Sequence, residues 1–235
     1  ANIAAALNDF ADDVGIPDTL ICDLATEQTG HKSEAMKEIC QLGIRLLPAE
    51  KGRGTKQNHK AETEIREIKT KWKVRLREAN IPKRLWDYGL VYIAEVQSII
   101  ARGPDQRPGM ETVSGQTIDI SEWLDFDFYE RVWYWDDKKM DMTKEQATIG
   151  RWLGIAHRIG SEMTYWILTM SGKVIARSTV QHITMDDMAK DAVKERVAQF
   201  DMAIKVRMDD TNYHLEAVER FYIDDDDDAN DVNPT

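Results

Sequence analysis

Residues 19–27 read TLICDLATE, a short apolar run that ends in an aspartate. Such a run is typical of a buried strand, and Asp23 stands where the chain would leave the sheet. Residues 57–62 read QNHKAE and lead into a long helical pattern, so Glu62 lies at the start of a helix. A strand-end acid and a helix-start acid can meet in space, and paired carboxylates are ligands that Mg²⁺ prefers. Asp23 and Glu62 are therefore candidate metal ligands.

The composition of the 235-residue chain, 42% hydrophobic and 31% charged, is typical of an ordinary soluble globular protein. No apolar run approaches the roughly 20 residues that cross a bilayer, and the N-terminus lacks the order of a secretory signal. We therefore predict an intracellular protein with no membrane partner. Cys22 and Cys40 suit core packing in a reducing compartment, and the five histidines show no metal-ligand spacing.

The net charge of -11 conceals a basic segment. Twelve lysines and arginines fall between residues 51 and 84, against four glutamates. Within this segment four charged residues recur at spacings of four, three and four and so share a helix face: Glu62, Arg66, Lys69 and Lys73. With Lys56 and Lys60 on the same patch, these cations are candidate nucleic-acid-binding residues, although an ordinary solvated face is the alternative.

Helical and strand patterns alternate through the first part of the chain. We predict short strands over residues 19–22 and 44–47, with Ser33 capping a helix, and helices over residues 1–14, 33–42, 60–78 and 84–101. This order predicts a partial α/β domain over residues 1–103, ended by Gly103 and Pro104. Residues 104–125 are the predicted linker.

The second part of the chain has a different pattern. Aromatic-rich and alternating segments predict a small antiparallel β-barrel over residues 126–184, with a turn at residues 170–173. A connecting helical segment over residues 185–222 follows, marked at helical spacing by Val193, Val197, Phe200 and Ile204. An aspartate run then predicts a disordered acidic tail over residues 223–235. Four tryptophans are expected in apolar cores: Trp72, Trp86, Trp152 and Trp166.

With these motifs, most of the chain resembles the C-terminal part of integrases from copia-type retrotransposons. Residues 23–27 read DLATE where that family has Asp-Asn-Gly-x-Glu-Phe, and residues 57–62 stand where it has Gln-Asn-Gly-x-Ala-Glu. Residues 80–86, NIPKRLW, resemble the family's helix-to-helix turn. Residues 173–175, KVI, resemble the hairpin of its C-terminal barrel.

The resemblance implies an RNase H-like α/β core, truncated here, followed by an SH3-like barrel and a C-terminal helix. It implies DNA integration by phosphodiester (strand) transfer, with Mg²⁺ or Mn²⁺ held by three acids that include Asp23 and Glu62. Arg66 and Lys69 would grip the phosphates of the DNA end, and the target DNA would be a second partner. The resemblance further implies an origin in a transposable-element polyprotein, a homo-oligomer, and a nuclear or retroelement-particle location.

The family's first acid is expected on a strand upstream of residue 1, so the chain is interpreted as a catalytically incomplete fragment. Glu64 is an alternative to Glu62 as the third acid. A different function is a catalytically inactive remnant that binds DNA or multimerises, and a third is a barrel that reads chromatin or peptides. Each acid also has a structural interpretation, Asp23 as a turn or cap residue and Glu62 as a charge favourable to the helix dipole.

Overall fold

The computed structural model describes residues 3–22, 33–48, 59–100, 107–135, 147–157, 159 and 163–209. The chain forms two units, the first built from residues 1–74 and 93–118 and the second from residues 75–92 and 119–235. The predicted acidic tail and the end of the predicted connecting segment, from residue 210 onward, lie outside the described residues.

The first unit begins with a helix, a strand, a helix and a strand, as the sequence predicts. These elements are α1 (Ile3–Val14), β1 (Thr19–Cys22), α2 (Glu34–Gln41) and β2 (Arg45–Pro48). β1 and β2 pair in parallel, which requires the intervening chain to cross back between them. Ser33 caps α2 as predicted, since its Oγ accepts a hydrogen bond from the Met36 N–H at 3.1 Å.

Two expectations about buried residues are wrong. Cys40 is exposed, because the inward side of α2 is formed by Ala35 and Ile39, one turn apart, and Cys40 points away from them. Trp86 is exposed because Leu85, the preceding residue, takes the buried position in the turn. Trp72 and Trp152 are buried as predicted, and Trp166 is half-buried.

Two longer helices follow in the middle of the chain. They are α3 (His59–Glu78) and α4 (Trp86–Ile99), joined by a turn that contains a short 3₁₀-helix at Lys83–Leu85. Both helices match the predicted ones closely. Two shorter helices, α5 (Gly109–Ser114) and α6 (Ser121–Leu124), lie within the predicted linker.

The second unit contains an antiparallel sheet of five described strands. In chain order they are β3 (Arg131–Trp135), β4 (Ala147–Ile155), β5 (Tyr165–Leu168), β6 (Val174–Arg177) and β7 (Val180–His182). Their spatial order is β6-β5-β4-β3-β7, so β6 and β7 are the two edges. The antiparallel sheet is confirmed, but the expected closed barrel is wrong: within the described strands, no ladder joins the two edges.

The sheet is nevertheless strongly curled. β6 ends at Arg177 and β7 begins at Val180. Because consecutive Cα atoms are about 3.8 Å apart, the ends of the two edge strands lie at most about 11 Å from each other. The segment after the predicted turn at residues 170–173 therefore contains two strands, which lie at opposite edges of the same sheet and have adjacent ends.

A helix pair completes the second unit: α7 (Met185–Ala189) and α8 (Asp191–Asp209). α7 opens with a capping box, in which Thr184 and Asp187 each accept a hydrogen bond from the other's backbone N–H. The four residues predicted to mark the inward face of α8 are all buried, as is Met208. None of the described helices is long and apolar enough to cross a membrane.

Candidate nucleic-acid interface

The charged row predicted on α3 lies on one side of the helix and faces solvent. A helix turns by roughly 100° per residue, so Arg66, Lys69 and Lys73 all fall within roughly 40° of Glu62. All four side chains are exposed. The helix carries seven lysines and arginines against four glutamates, in a chain whose net charge is -11. Arg66, Lys69 and Lys73 form the basic row of α3.

The opposite side of α3 carries a polar network that the sequence did not reveal. Gln97, on α4, is only 7% exposed. Its Nε2 donates a hydrogen bond to Glu64 Oε2 at 2.7 Å, and its Oε1 accepts one from Lys71 Nζ at 3.1 Å. A lone amide within the apolar pattern of residues 90–100 was the available signal for this contact. Both oxygen and nitrogen of the buried amide are therefore paired.

The two alternative acids, Glu62 and Glu64, lie on different sides of α3. Glu64 lies roughly 200° around α3 from Glu62 and is turned towards Gln97. Glu62 stays in the first turn of the helix, on the side of the basic row. A ligand that approached the row would meet Glu62 and would not meet Glu64.

The remaining predicted site residues are only partly described. β1 ends at Cys22, so Asp23 directly follows the strand, but Asp23 and Lys56 lie outside the described residues. The backbone of Lys60 belongs to α3, and its side chain is not among those described. In the described parts of the chain, no group of three or more His, Cys, Asp or Glu residues could hold a metal ion.

A cluster of three charged side chains in the second unit lies between α8 and the sheet. Asp201 accepts hydrogen bonds from Arg131 Nη2 at 2.8 Å and from Arg151 Nη2 at 2.6 Å. Arg151 also donates a hydrogen bond to the Tyr129 carbonyl at 2.9 Å. Its guanidinium lies over the aromatic ring of Tyr129, 4.4 Å from the ring centroid. Burial opposes ionisation of Asp201, but the two arginines outweigh it and lower its pKa. The cluster fastens α8 to β3 and β4.

An aromatic cluster fills the core of the second unit. The Trp152 ring centroid lies 5.6 Å from that of Tyr92 and 6.0 Å from those of Phe126 and Tyr165. Phe126, Trp152 and Tyr165 are all buried. Rings that contact one another in this way serve as packing, so they give no support to the alternative of a barrel that reads peptides.

The comparisons with known proteins give a weak structural likeness and no sequence match. A chain in the cryo-EM structure of the simian T-cell lymphotropic virus intasome in complex with PP2A regulatory subunit B56 gamma resembles this one with a TM-score of 0.34 and 12% identity. The match covers 76% of this chain and 64% of the intasome chain. This chain therefore spans less than two thirds of the length of the intasome chain. No family model matches the chain, and no curated protein matches it.

Proposed function

We propose that this chain is an integrase-like protein of the copia type that binds DNA through the basic row of α3. The observation that carries the proposal is the exposure of Arg66, Lys69 and Lys73 on one side of one helix. Cations placed in this way neutralise successive phosphates of a nucleic-acid backbone and release their counterions. Phosphate contacts position a protein on DNA without reading its sequence, so the row predicts affinity and not base specificity.

The polar network on the far side of α3 supports this orientation. Lys71 and Glu64 are held by Gln97, so that side of the helix is used for packing against α4. Arg66, Lys69 and Lys73 of the basic row face solvent. We therefore assign Glu62, and not Glu64, as the acid that lies next to the bound phosphates.

The proposed chemistry is phosphodiester transfer, with Asp23 and Glu62 holding Mg²⁺ or Mn²⁺. Their donor chemistry fits, because both supply the hard carboxylate oxygens that these ions take. The bound ion would supply Lewis-acid stabilisation of the phosphate oxygens. In this proposal Arg66 and Lys69 would orient the phosphate, and Glu62 would hold the ion from the first turn of α3.

The partners and location follow the same proposal. DNA ends of the element and the target DNA are the proposed ligands, and a homo-oligomer is the proposed assembly. The proposed location is the nucleus or a retroelement particle. An inactive DNA-binding remnant is the second candidate function, and it shares the basic row but needs no metal.

DNA binding is tested by measuring the affinity for a fluorescent duplex at several salt concentrations. The double variant Arg66→Ala/Lys69→Ala should make the slope of log affinity against log salt shallower by roughly 0.9 per lost phosphate contact, or about two in all. The control is Lys205→Ala/Arg207→Ala, which removes two exposed cations of α8 and changes the net charge equally. Equal effects of the two double variants would show that only total charge matters and would reject the basic row.

Metal binding separates the two candidate functions. Mn²⁺ binding can be measured by calorimetry for the unchanged chain and for Asp23→Asn, Glu62→Gln and Glu64→Gln. The proposal expects the first two variants to weaken binding and Glu64→Gln to leave it unchanged. Weakening by Glu64→Gln alone would contradict the assignment of Glu62. Salt-dependent DNA binding without any Mn²⁺ binding would favour the inactive remnant.

A further inference from the structure

Trp86 differs from every other tryptophan of the chain in its exposure. All seven tryptophans lie among the described residues, and six of them are buried or half-buried. Trp86 is 58% exposed. Leaving a ring of this size in water forgoes the burial that normally stabilises an apolar side chain. Among the tryptophans, Trp86 is therefore the one whose ring is available to a ligand.

The turn that carries Trp86 is fixed by its neighbours. Ile81 and Leu85 are buried at 3% and 0% exposure and anchor the turn on both sides. Asn80 adopts a left-handed conformation with φ 49°, and the Ile81 N–H donates to the Leu76 carbonyl at 3.1 Å. Because Leu85 is immobilised, the backbone of Trp86 is held in place. The ring is thus presented from a rigid support, which lowers the entropy lost when a ligand stacks on it.

The charge beside Trp86 is positive. Lys83 begins the 3₁₀-helix and Trp86 follows it three residues later. Trp86 is the first residue of α4, and residues three apart on consecutive helical turns lie on the same side, so Lys83 and Trp86 share a side. Arg84 adds a second cation to the same turn, and Asp87 is the acid that follows, roughly 100° further round α4.

We propose that Trp86 is a stacking platform for an unpaired base of single-stranded nucleic acid, with Lys83 contacting the adjacent phosphate. A flat exposed ring next to a cation matches a ligand that alternates planar bases with anionic phosphates. A protein partner would use the ring without needing the cation. The inference goes beyond the proposed function, since it concerns unpaired bases and a different segment of the chain, and it can fail separately.

The test uses the full chain and fluorescent oligothymidylate and oligouridylate, with a DNA duplex as the reference ligand. Trp86→Ala should lower the affinity for the single strands by roughly tenfold, because stacking on one aromatic ring is worth about 1–3 kcal/mol per base. Trp86→Phe should restore most of that loss. Tighter binding of one oligomer identifies whether DNA or RNA is the preferred source of the base. The control is Leu124→Ala, which shortens another exposed apolar side chain of the same unit.

Tryptophan fluorescence gives a second readout that a merely structural role would not change. Stacking should quench the emission of Trp86 when the oligomer binds, and Trp86→Phe should remove that part of the quenching. Equal loss of duplex and single-strand affinity in Trp86→Ala, or unchanged quenching in Trp86→Phe, would overturn the proposal. A change of oligomeric state with unchanged single-strand affinity would assign Trp86 to a protein interface instead.

The outcomes also distinguish this inference from the proposed function. If Arg66→Ala/Lys69→Ala weakens duplex binding while Trp86→Ala leaves single-strand binding intact, the stacking platform is rejected and the basic row stands. If only Trp86→Ala has an effect, the basic row is rejected and the platform stands.

Discussion

The substitution Asp201→Asn should destabilise the second unit by removing the charge that holds two arginines. The variant keeps the size of the side chain, and the amide retains only one oxygen acceptor. Arg151 is the more severely affected partner, because its side chain is 11% exposed against 40% for Arg131. The carboxylate itself is 35% exposed.

These exposures set the expected magnitude. Breaking a fully buried ion pair costs about 3–5 kcal/mol, whereas an exposed pair is worth about 0.2–1 kcal/mol. The cluster lies between those limits, so we expect a loss of about 2 kcal/mol in the free energy of unfolding at neutral pH. A double-mutant cycle with Arg151→Met should give a larger coupling energy than one with Arg131→Met, because the shorter bond, 2.6 Å, is also the less solvated one.

The pH dependence has a defined sign. The pKa of Asp201 is lower in the folded chain than its ordinary value of about 3.9. A lowered folded pKa gives stability that is fully present above the unfolded pKa and is lost as the pH falls through the folded pKa. The difference between the unchanged chain and Asp201→Asn should therefore be constant near neutrality and shrink below about pH 4.

Urea unfolding followed by tryptophan fluorescence measures these differences, since Trp152 lies in the core of the same unit. Glu195→Gln on the exposed side of α8 is the matched control and should change stability by no more than about 0.5 kcal/mol. A loss for Asp201→Asn no larger than that of the control would refute the reasoning. A larger coupling to Arg131 than to Arg151 would refute the ranking by burial.

Three further substitutions test the packing of the second unit. Gly150→Ala should lower the stability by about 1–3 kcal/mol, because its Cβ would stand 2.4 Å from Cγ2 of buried Ile167; unchanged stability in urea would contradict the close approach. Phe200→Ala should cost about 3–5 kcal/mol by opening a cavity in the core, whereas Met202→Ala on the exposed side of α8 should cost little; similar thermal midpoints for the two would show that α8 does not pack as described. Thr184→Ala removes the side-chain cap of α7 and should lower the free energy of unfolding by about 1 kcal/mol, whereas Thr184→Ser should keep most of that stability. Calorimetry that found the serine variant as unstable as the alanine variant would reject the cap.

Part of the candidate site, the basic row, could be predicted from the sequence. The spacing of Arg66, Lys69 and Lys73 predicted a shared helix side, and these side chains are exposed on α3. The contact that Glu64 makes could not be predicted from the sequence, because its partner is Gln97, 33 residues further along the chain. The role of Asp23 remains a prediction, since this residue lies outside those described.

Local pattern by itself determined several elements of this protein. The spacing of Val193, Val197, Phe200 and Ile204 predicted the buried side of α8, because a helix brings residues three and four apart onto one side. Ser33 marked the start of α2 for a similar reason, since a cap acts on the backbone within its own turn. Such features depend on neighbours in the chain and need no knowledge of the rest of the fold.

Only the tertiary structure decided which of two adjacent residues is buried and which charges meet. Leu85 and Trp86 are both apolar, and the exposure of Trp86 follows from the position of the whole turn. Asp201 meets arginines that are 70 and 50 residues away in sequence, and the open edges of the sheet depend on how far it curls. These outcomes depend on contacts between distant segments, whose geometry is fixed only once the elements have packed together.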